Sequence, residues 1–139
     1  MQVREKIFPA DIEMLTYMMK WVRDRIREAG FSETHGKKLE VALEEALVNI
    51  IHYAYQHKKG KIDLQCFCYL DRVEFKIKDQ GFPFNPLLLN PDFEGLSNTP
   101  LEERQEGGLG IFLIRQYMDD IRYERNESYN ILTLIKKIV

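Results

Sequence analysis

The order of apolar and polar residues predicts two amphipathic helices in the first half of the chain. From Asp11 onward apolar residues recur at helical spacing, and Gly30 can end this first helix in a left-handed conformation. Ser32 or Thr34 can cap a second helix that runs to about His57. The apolar stripe of the second helix is expected to face the core, and it consists of Leu39, Leu43, Ala46, Leu47, Ile50 and Ala54.

Other segments have apolar and polar residues in strict alternation, which predicts strands. Residues 3–8 form a short extended segment, and residues 61–70 alternate as a half-buried strand. We expect Asp71-Arg72 to be the tight connection to a partner strand over residues 73–78. In the longer of these strands one side consists of Ile62, Leu64, Cys66, Cys68 and Leu70.

The last third of the chain predicts a helix followed by a hairpin. Gly108 opens a third helix that reaches about Met118. Residues 121–125 and 129–138 can then pair as two strands around residues 126–128.

These elements predict an α+β fold: a two-layer α/β sandwich with helices packed on one face of a mixed, mostly antiparallel sheet. A chain of 139 residues has the size of one domain, so we expect residues 1–139 to form a single domain.

Residues 80–107 are rich in proline and have little periodic pattern. A loop of this length in a compact domain is usually functional, and we expect a lid over about residues 85–107.

Composition and charge restrict the class of function. The 20 basic and 22 acidic residues nearly cancel, which excludes the strongly basic surface of a nucleic-acid-binding domain. Apolar runs are much shorter than a membrane span and the first residues form no apolar signal segment, so we expect a cytoplasmic protein without membrane contact. Cys66 and Cys68 alone cannot complete a structural zinc site, and we interpret them as small buried apolar residues.

Three polar side chains of the second helix could support chemistry. Glu45, Asn49 and His52 share one face, away from the apolar stripe. An amide oxygen is a neutral ligand that suits Mg²⁺ beside phosphates, and a carboxylate one turn away can accept a proton from an attacking hydroxyl. A solvated helix face is the alternative interpretation of this pattern.

Two further segments have features of a nucleotide site. Asp79 follows a strand directly and can accept a hydrogen bond from an exocyclic amine, and Gly81 lets a flat ring approach the backbone. Residues 106–112 form a glycine-rich run that leads into the third helix, and bare N–H groups at a helix N-terminus suit phosphates. The spacing is that of neither a Walker loop nor a dinucleotide-binding fingerprint. An ordinary strand exit and a flexible hinge are the alternative interpretations.

In this order along the chain, the three segments resemble the N, G1 and G2 boxes of the GHKL nucleotide-binding superfamily. The motifs that carry the resemblance are Glu45-x-x-x-Asn49, Asp79-x-Gly81 and Gly107-Gly108-Leu109-Gly110. The local sequence around them is similar to the stand-alone anti-sigma-factor serine kinases of the RsbW and SpoIIAB type, and the resemblance covers nearly the whole chain.

The resemblance implies a cofactor and a set of partners. Members of this group bind ATP and Mg²⁺ between the helices and the lid, and they phosphorylate a serine of an anti-anti-sigma factor with a STAS domain. They also sequester a sigma factor, usually as homodimers, so no direct contact with nucleic acid is implied.

The resemblance also implies roles for individual residues. By motif position, Glu45 is the catalytic base, Asn49 the Mg²⁺ ligand and Asp79 the adenine-binding residue. Arg104 is the nearest candidate for a lid arginine that assists the phosphates, and His52 is a candidate lining residue of the nucleotide pocket. The remaining cofactor-binding candidates are Gly81, Gly107, Gly108, Leu109 and Gly110.

The last strand departs from the family pattern. The family often has Gly-Thr at its start, where the Thr supports the adenine-binding Asp. Here these positions are Asn130-Ile131-Leu132. Either adenine anchoring is weaker, or Thr133 substitutes after a register change.

Two classes of function remain open from the sequence. The first is an ATP-dependent protein-serine kinase that acts as an anti-sigma factor, which Glu45 favours. The second is a nucleotide-gated binding module that sequesters a regulatory partner without kinase activity. The catalytic domain of a histidine kinase is disfavoured, because the sequence has no dimerising helix with a phospho-acceptor histidine.

Overall fold

A computed structural model of the chain describes residues 1–56, 58–88 and 108–138. It contains strand β1, two long helices, a β2–β3 hairpin, a third helix and a closing hairpin. Short 3₁₀ turns cover Ile12–Met14 and Pro86–Leu88, and a π-helical turn covers Ile50–Ala54. The other elements are β1 (Gln2–Pro9), α1 (Leu15–Ala29), α2 (Glu33–Asn49), β2 (Lys61–Cys68), β3 (Arg72–Asp79), α3 (Gly108–Tyr117), β4 (Asp120–Asn126) and β5 (Tyr129–Lys137).

The strands form one sheet with the order β1-β2-β3-β5-β4. All the strand pairings within the described ranges are antiparallel, so the predicted α+β fold is confirmed and the mixed sheet is replaced by an antiparallel one. Alternate residues of β3 are buried, as the apolar–polar alternation predicts. Val73, Phe75 and Ile77 pack into one core with the apolar stripes of the helices, which therefore cover one face of the sheet.

The ends of α1 and the start of α2 follow local signals in the sequence. The Asp11 carboxylate accepts a hydrogen bond from the Glu13 amide at 3.0 Å, which caps the 3₁₀ turn before α1. Gly30 has φ +83° and ends α1 in the left-handed conformation that glycine favours. The Ser32 hydroxyl accepts a hydrogen bond from the His35 amide at 3.2 Å, so Ser32 rather than Thr34 is the cap of α2.

The second helix ends differently from the prediction. Regular α-helix stops at Asn49, and the chain continues as the π-helical turn to Ala54 instead of as α-helix to about His57, which lies outside the described residues. Ile50, Ile51 and Ala54 are all buried by this turn. A π turn holds one residue more than an α turn, so a 3.6-residue period could not predict it.

The β2–β3 turn is one residue earlier than predicted. The Tyr69 amide donates a hydrogen bond to the Arg72 carbonyl at 2.9 Å, which makes Leu70-Asp71 the two-residue connection. Leu70 is fully exposed and does not continue the buried side of β2. Arg72 belongs to β3 because it pairs with Lys137 of β5, and its guanidinium also pairs with Glu74 at 3.0 Å and lies over the Tyr69 ring.

The two cysteines behave as small apolar residues. Cys66 is buried, Cys68 is half-buried, and both are free thiols. Burial raises the pKa of the Cys66 thiol to about 12, so it stays protonated and unreactive near neutral pH.

The helices of the described ranges are too short or too polar to cross a bilayer.

Candidate functional site

The polar residues predicted to share one face of α2 and the turn after it are wholly or partly buried. Asn49 is only 3% exposed, and Glu45 and His52 are half-buried, so a fully solvated helix face is not the explanation of these residues. The side-chain nitrogen of Asn49 is buried and has no hydrogen-bond partner within the part of the chain that the structure describes. Leaving such a group unpaired costs about 1–3 kcal/mol, and a bound ligand could recover that cost.

Glu45 faces the first turn of α3. A Cβ placed on Gly110 would lie 2.5 Å from Glu45 Oε2, so glycine leaves the space that this carboxylate occupies. Burial raises the pKa of the Glu45 carboxyl above its usual value, and the neighbouring Glu44 raises it further. The structure therefore brings the first and third sequence motifs into contact and gives Glu45 the raised basicity of a proton acceptor.

Asp79 ends β3 and is 2% exposed. Its Oδ1 accepts hydrogen bonds from the Gly81 amide and from Asn130 Nδ2, both at 2.9 Å. Burial raises the pKa of the Asp79 carboxyl, although these two donors and the charge of Arg125 oppose the rise. The two bonds fix one carboxylate oxygen and so orient the whole side chain.

Asn130 is the site residue that sequence reasoning did not assign. It lies directly opposite Asp79 in the β3–β5 register and also donates to the Phe82 carbonyl at 2.7 Å. Its side-chain oxygen accepts from the Tyr123 hydroxyl and from the Phe84 amide, at 3.3 Å in the second case. The β3–β5 pairing sets the start of β5 against the end of β3, and because these strands are not consecutive along the chain, no local sequence signal indicates it.

Thr133 does not substitute for the family's threonine. It pairs with Lys76, three positions along β5 from Asn130. Side chains alternate between the faces of a strand, so Thr133 and Asn130 lie on opposite faces. Thr133 lines a small cavity with Lys76 and Arg122, whereas Asn130 contacts Asp79 without any register change.

Residues 80–84, called here the Gly81 loop, are held by the π-helical turn and by β4. The Gln80 amide donates to the Tyr55 hydroxyl and the Phe82 amide donates to the Ala54 carbonyl, both at 2.8 Å. Arg125 donates to the Gly81 carbonyl at 2.9 Å. A Cβ on Gly81 would collide with the Ala54 carbonyl, so glycine is required here by backbone packing. The loop beside Asp79 is therefore preorganised.

Several predicted site residues are not brought together with Asp79. His52 lines a groove near the end of β1, so its place in a nucleotide pocket stays a prediction. Arg104, Gly107 and most of the predicted lid lie outside the described residues. Gly108 and Leu109 begin α3, as predicted for the helix that follows the glycine run.

The residues present fit a magnesium–nucleotide pair better than a metal ion alone. The described ranges contain no group of three His, Cys, Asp or Glu side chains able to hold a metal ion. Mg²⁺ commonly takes one or two protein ligands and completes its shell with phosphates and water. The unpaired Asn49 Nδ2 is a donor that suits a phosphate oxygen or a metal-bound water, and the amide oxygen of the same side chain is the kind of ligand that Mg²⁺ takes.

Comparison with known proteins agrees with this geometry. A family model described as "Histidine kinase-like ATPase domain" matches residues 8–136. A protein of Bacillus mycoides (strain KBAB4) named "Serine-protein kinase RsbW" is 31% identical over 136 residues, covering 95% of this chain and 85% of that protein. A protein of the same name from Bacillus cereus (strain ATCC 10987 / NRS 248) is 30% identical over 136 residues, covering 92% and 81%. The chain therefore belongs to the histidine kinase-like ATPase domain family.

Proposed function

We propose that this protein is an ATP-dependent protein-serine kinase that also acts as an anti-sigma factor. Its substrate is a STAS-domain anti-anti-sigma factor, and its second partner is a sigma factor that it sequesters as a cytoplasmic homodimer. The observation that carries the proposal is Glu45, a carboxylate of raised pKa held against Gly110 and one helical turn from the buried Asn49 amide. Membership of an ATPase domain family and similarity to serine-protein kinases support it.

ATP is the substrate that supplies the phosphoryl group. Asp79, fixed through one oxygen by Asn130 and Gly81, would accept a hydrogen bond from the exocyclic amine of adenine. Asn49 would contribute its amide oxygen to Mg²⁺, which neutralises phosphate charge when it is bound. The glycines at positions 107, 108 and 110, with Arg104, complete the proposed phosphate site.

Glu45 would act on the protein substrate. In the proposed step the serine hydroxyl gives its proton to the Glu45 carboxylate while its oxygen bonds to the γ-phosphorus of ATP. The bond from that phosphorus to the β,γ-bridging oxygen breaks, and ADP leaves with the electron pair. A raised pKa suits this role, because a base is most effective when its pKa approaches the working pH.

The test is phosphotransfer by a Glu45→Gln variant, which keeps the size of the side chain beside Gly110. A general base contributes typically 10²–10⁴-fold to a rate and little to ground-state binding. We therefore expect transfer from ATP to a purified STAS protein of the same genome to fall by about that factor, with ATP affinity unchanged. Glu33→Gln is the matched control, since Glu33 is an exposed glutamate of the same helix and is not among the groups that raise the pKa of Glu45.

The outcomes separate the two classes of function. Equal rates for the two variants would remove Glu45 from the chemistry. If the wild-type protein binds ATP and a sigma factor yet transfers no phosphate to a STAS partner, the chain is a nucleotide-gated binding module and not a kinase.

A further inference from the structure

A groove of about 750 Å³ lies at the end of β1, and it shares Lys58 and Lys59 with the cavity beside Gly81. Its walls come from the last residues of β1, the 3₁₀ turn Ile12–Met14, the π-helical turn and residues 58–61. The volume is in the range of sites that hold small ligands or peptide side chains. We call it the β1 groove.

The β1 groove is lined in part by large apolar side chains that are exposed. Ile7 is 55% exposed and Ile12 is 52% exposed, and both line it. The buried side chains of Phe8 and Ile51 also line it, and Ile7 and Phe8 lie on opposite faces of β1, so apolar side chains from both faces of the strand contribute to its walls. Exposed apolar residues grouped in one groove mark an interaction site more often than scattered single residues do.

The rim of the groove is basic. Lys58, Lys59 and Lys61 line it, and the one carboxylate among its lining residues, Asp11, is already the cap of the 3₁₀ turn. Lys58 also lies over the Phe82 ring, with Nζ 4.8 Å from the ring centroid. This local excess of positive charge contrasts with the net charge of −2 for the whole chain. Aliphatic walls beneath a basic rim fit a ligand with apolar groups next to carboxylates.

The sheet edge beside the groove favours a polypeptide as that ligand. β1 is at one end of the strand order, and on its outer side no strand of the described residues pairs with it. Such an edge offers backbone donors and acceptors to an added extended segment. A segment that enters the groove can therefore gain main-chain bonds that a small molecule cannot use.

We propose that the β1 groove docks a segment of a partner protein that presents acidic side chains next to aliphatic ones. The proposal does not depend on kinase activity, because the groove residues are outside the candidate catalytic set apart from His52, which the proposal does not use. Ile12 and Lys61 are the two contacts best suited to test it, since both are exposed and neither lines the cavity beside Gly81.

The experiment is nuclear magnetic resonance of the full, isotope-labelled chain titrated with a short synthetic peptide of alternating Leu and Glu. We expect shifts at the amides of Ile7, Ile12, Gly60 and Lys61, and none with the same peptide carrying Lys in place of Glu. Ile12→Asp and Lys61→Glu should each weaken the acidic peptide by about tenfold. Saturation with ATP should leave its binding in place.

Matched controls carry the same chemical changes elsewhere. Leu70→Asp changes a fully exposed leucine at the other end of β2, and Lys137→Glu changes an exposed lysine of β5; both should bind the peptide as the wild type does.

Three results would overturn the proposal. The first is an absence of shifts at the groove amides at millimolar peptide, and the second is equal binding of the acidic and basic peptides. The third is groove shifts produced by octanoate but not by the peptide, which would identify a small-molecule site. These outcomes can be interpreted even if the phosphotransfer experiment fails, because none of them requires ATP turnover.

Discussion

Replacing Asn130 with Ala removes the side chain that joins Asp79 to the Gly81 loop. Asn130 is 3% exposed, and its amide donates to the Asp79 carboxylate at 2.9 Å and to the Phe82 carbonyl at 2.7 Å. A neutral hydrogen bond contributes about 0.5–1.5 kcal/mol net, and a bond to a charged group about 1.5–3 kcal/mol. The Tyr123 hydroxyl and the Phe84 amide also lose Asn130 as their acceptor, but Tyr123 and Phe84 are only partly buried, so water can replace it. We therefore expect Asn130→Ala to lower the free energy of unfolding by about 2–4 kcal/mol.

The pH dependence of that loss identifies its cause. The hydrogen bond from Asn130 lowers the pKa of Asp79, so its removal lets burial raise that pKa further. A carboxyl whose pKa is higher in the folded state than in the unfolded state loses stability as pH rises through the folded value. The loss caused by Asn130→Ala should consequently be larger at neutral pH than at about pH 4, near the ordinary pKa of Asp.

Urea denaturation of the full chain at both pH values measures these quantities. Asn126→Ala is the control, because Asn126 lies in the same hairpin and is exposed. A loss for Asn130→Ala no larger than that of the control, or a loss equal at both pH values, would refute the argument. ATP affinity of the folded variant should fall by about tenfold, since one lost bond of about 1.4 kcal/mol has that effect.

Two other substitutions separate stability from ligand binding. Asp79→Asn keeps an oxygen that can accept hydrogen bonds from Asn130 and Gly81 but removes the buried charge. Because burial raises the pKa of Asp79, urea denaturation should show the variant as stable as the wild type at low pH and more stable than the wild type as pH rises through that pKa. Calorimetry should show weaker ATP binding. A stability deficit that grows with pH would contradict this. Asn49→Ala removes a buried nitrogen without a partner and improves helix propensity, so the free energy of unfolding should stay equal or rise by up to about 1 kcal/mol while Mg²⁺-dependent ATP binding is lost. Loss of stability together with unchanged ATP affinity would show that Asn49 is a packing residue.

Most of the fold could be predicted because its signals are local. The alternation of Val73, Phe75 and Ile77 reflects burial of one face of β3, and the caps at Asp11 and Ser32 are short-range hydrogen bonds. Leu70 shows the limit of this reasoning. Its place in an alternating series predicts burial, but the backbone bond between Tyr69 and Arg72 and the pairing of Arg72 with β5 put Leu70 in the turn.

The candidate site could be predicted only motif by motif. Glu45 and Asn49 were identified by their helical spacing, but the contact of Glu45 with Gly110 depends on how α2 packs against α3, which no local pattern contains. In the sequence Asn130 stands out only as a departure from a family pattern, and its contact with Asp79 is not visible there because the two residues are 51 positions apart. The β3–β5 register that makes it a neighbour of Asp79 is a property of the sheet.

The π-helical turn makes the position of the Gly81 loop depend on how the chain winds after Asn49. The Ala54 carbonyl and the Tyr55 hydroxyl reach Phe82 and Gln80 because one extra residue is accommodated in this turn. Rewinding the same residues as ordinary α-helix would rotate both groups by roughly 100° about the helix axis, away from the loop. The sequence would be unchanged, but the support beneath Asp79 would be lost. The buried side chains of Ile50, Ile51 and Ala54 hold the turn against the core, so the geometry beside Asp79 is set in part from within the hydrophobic interior.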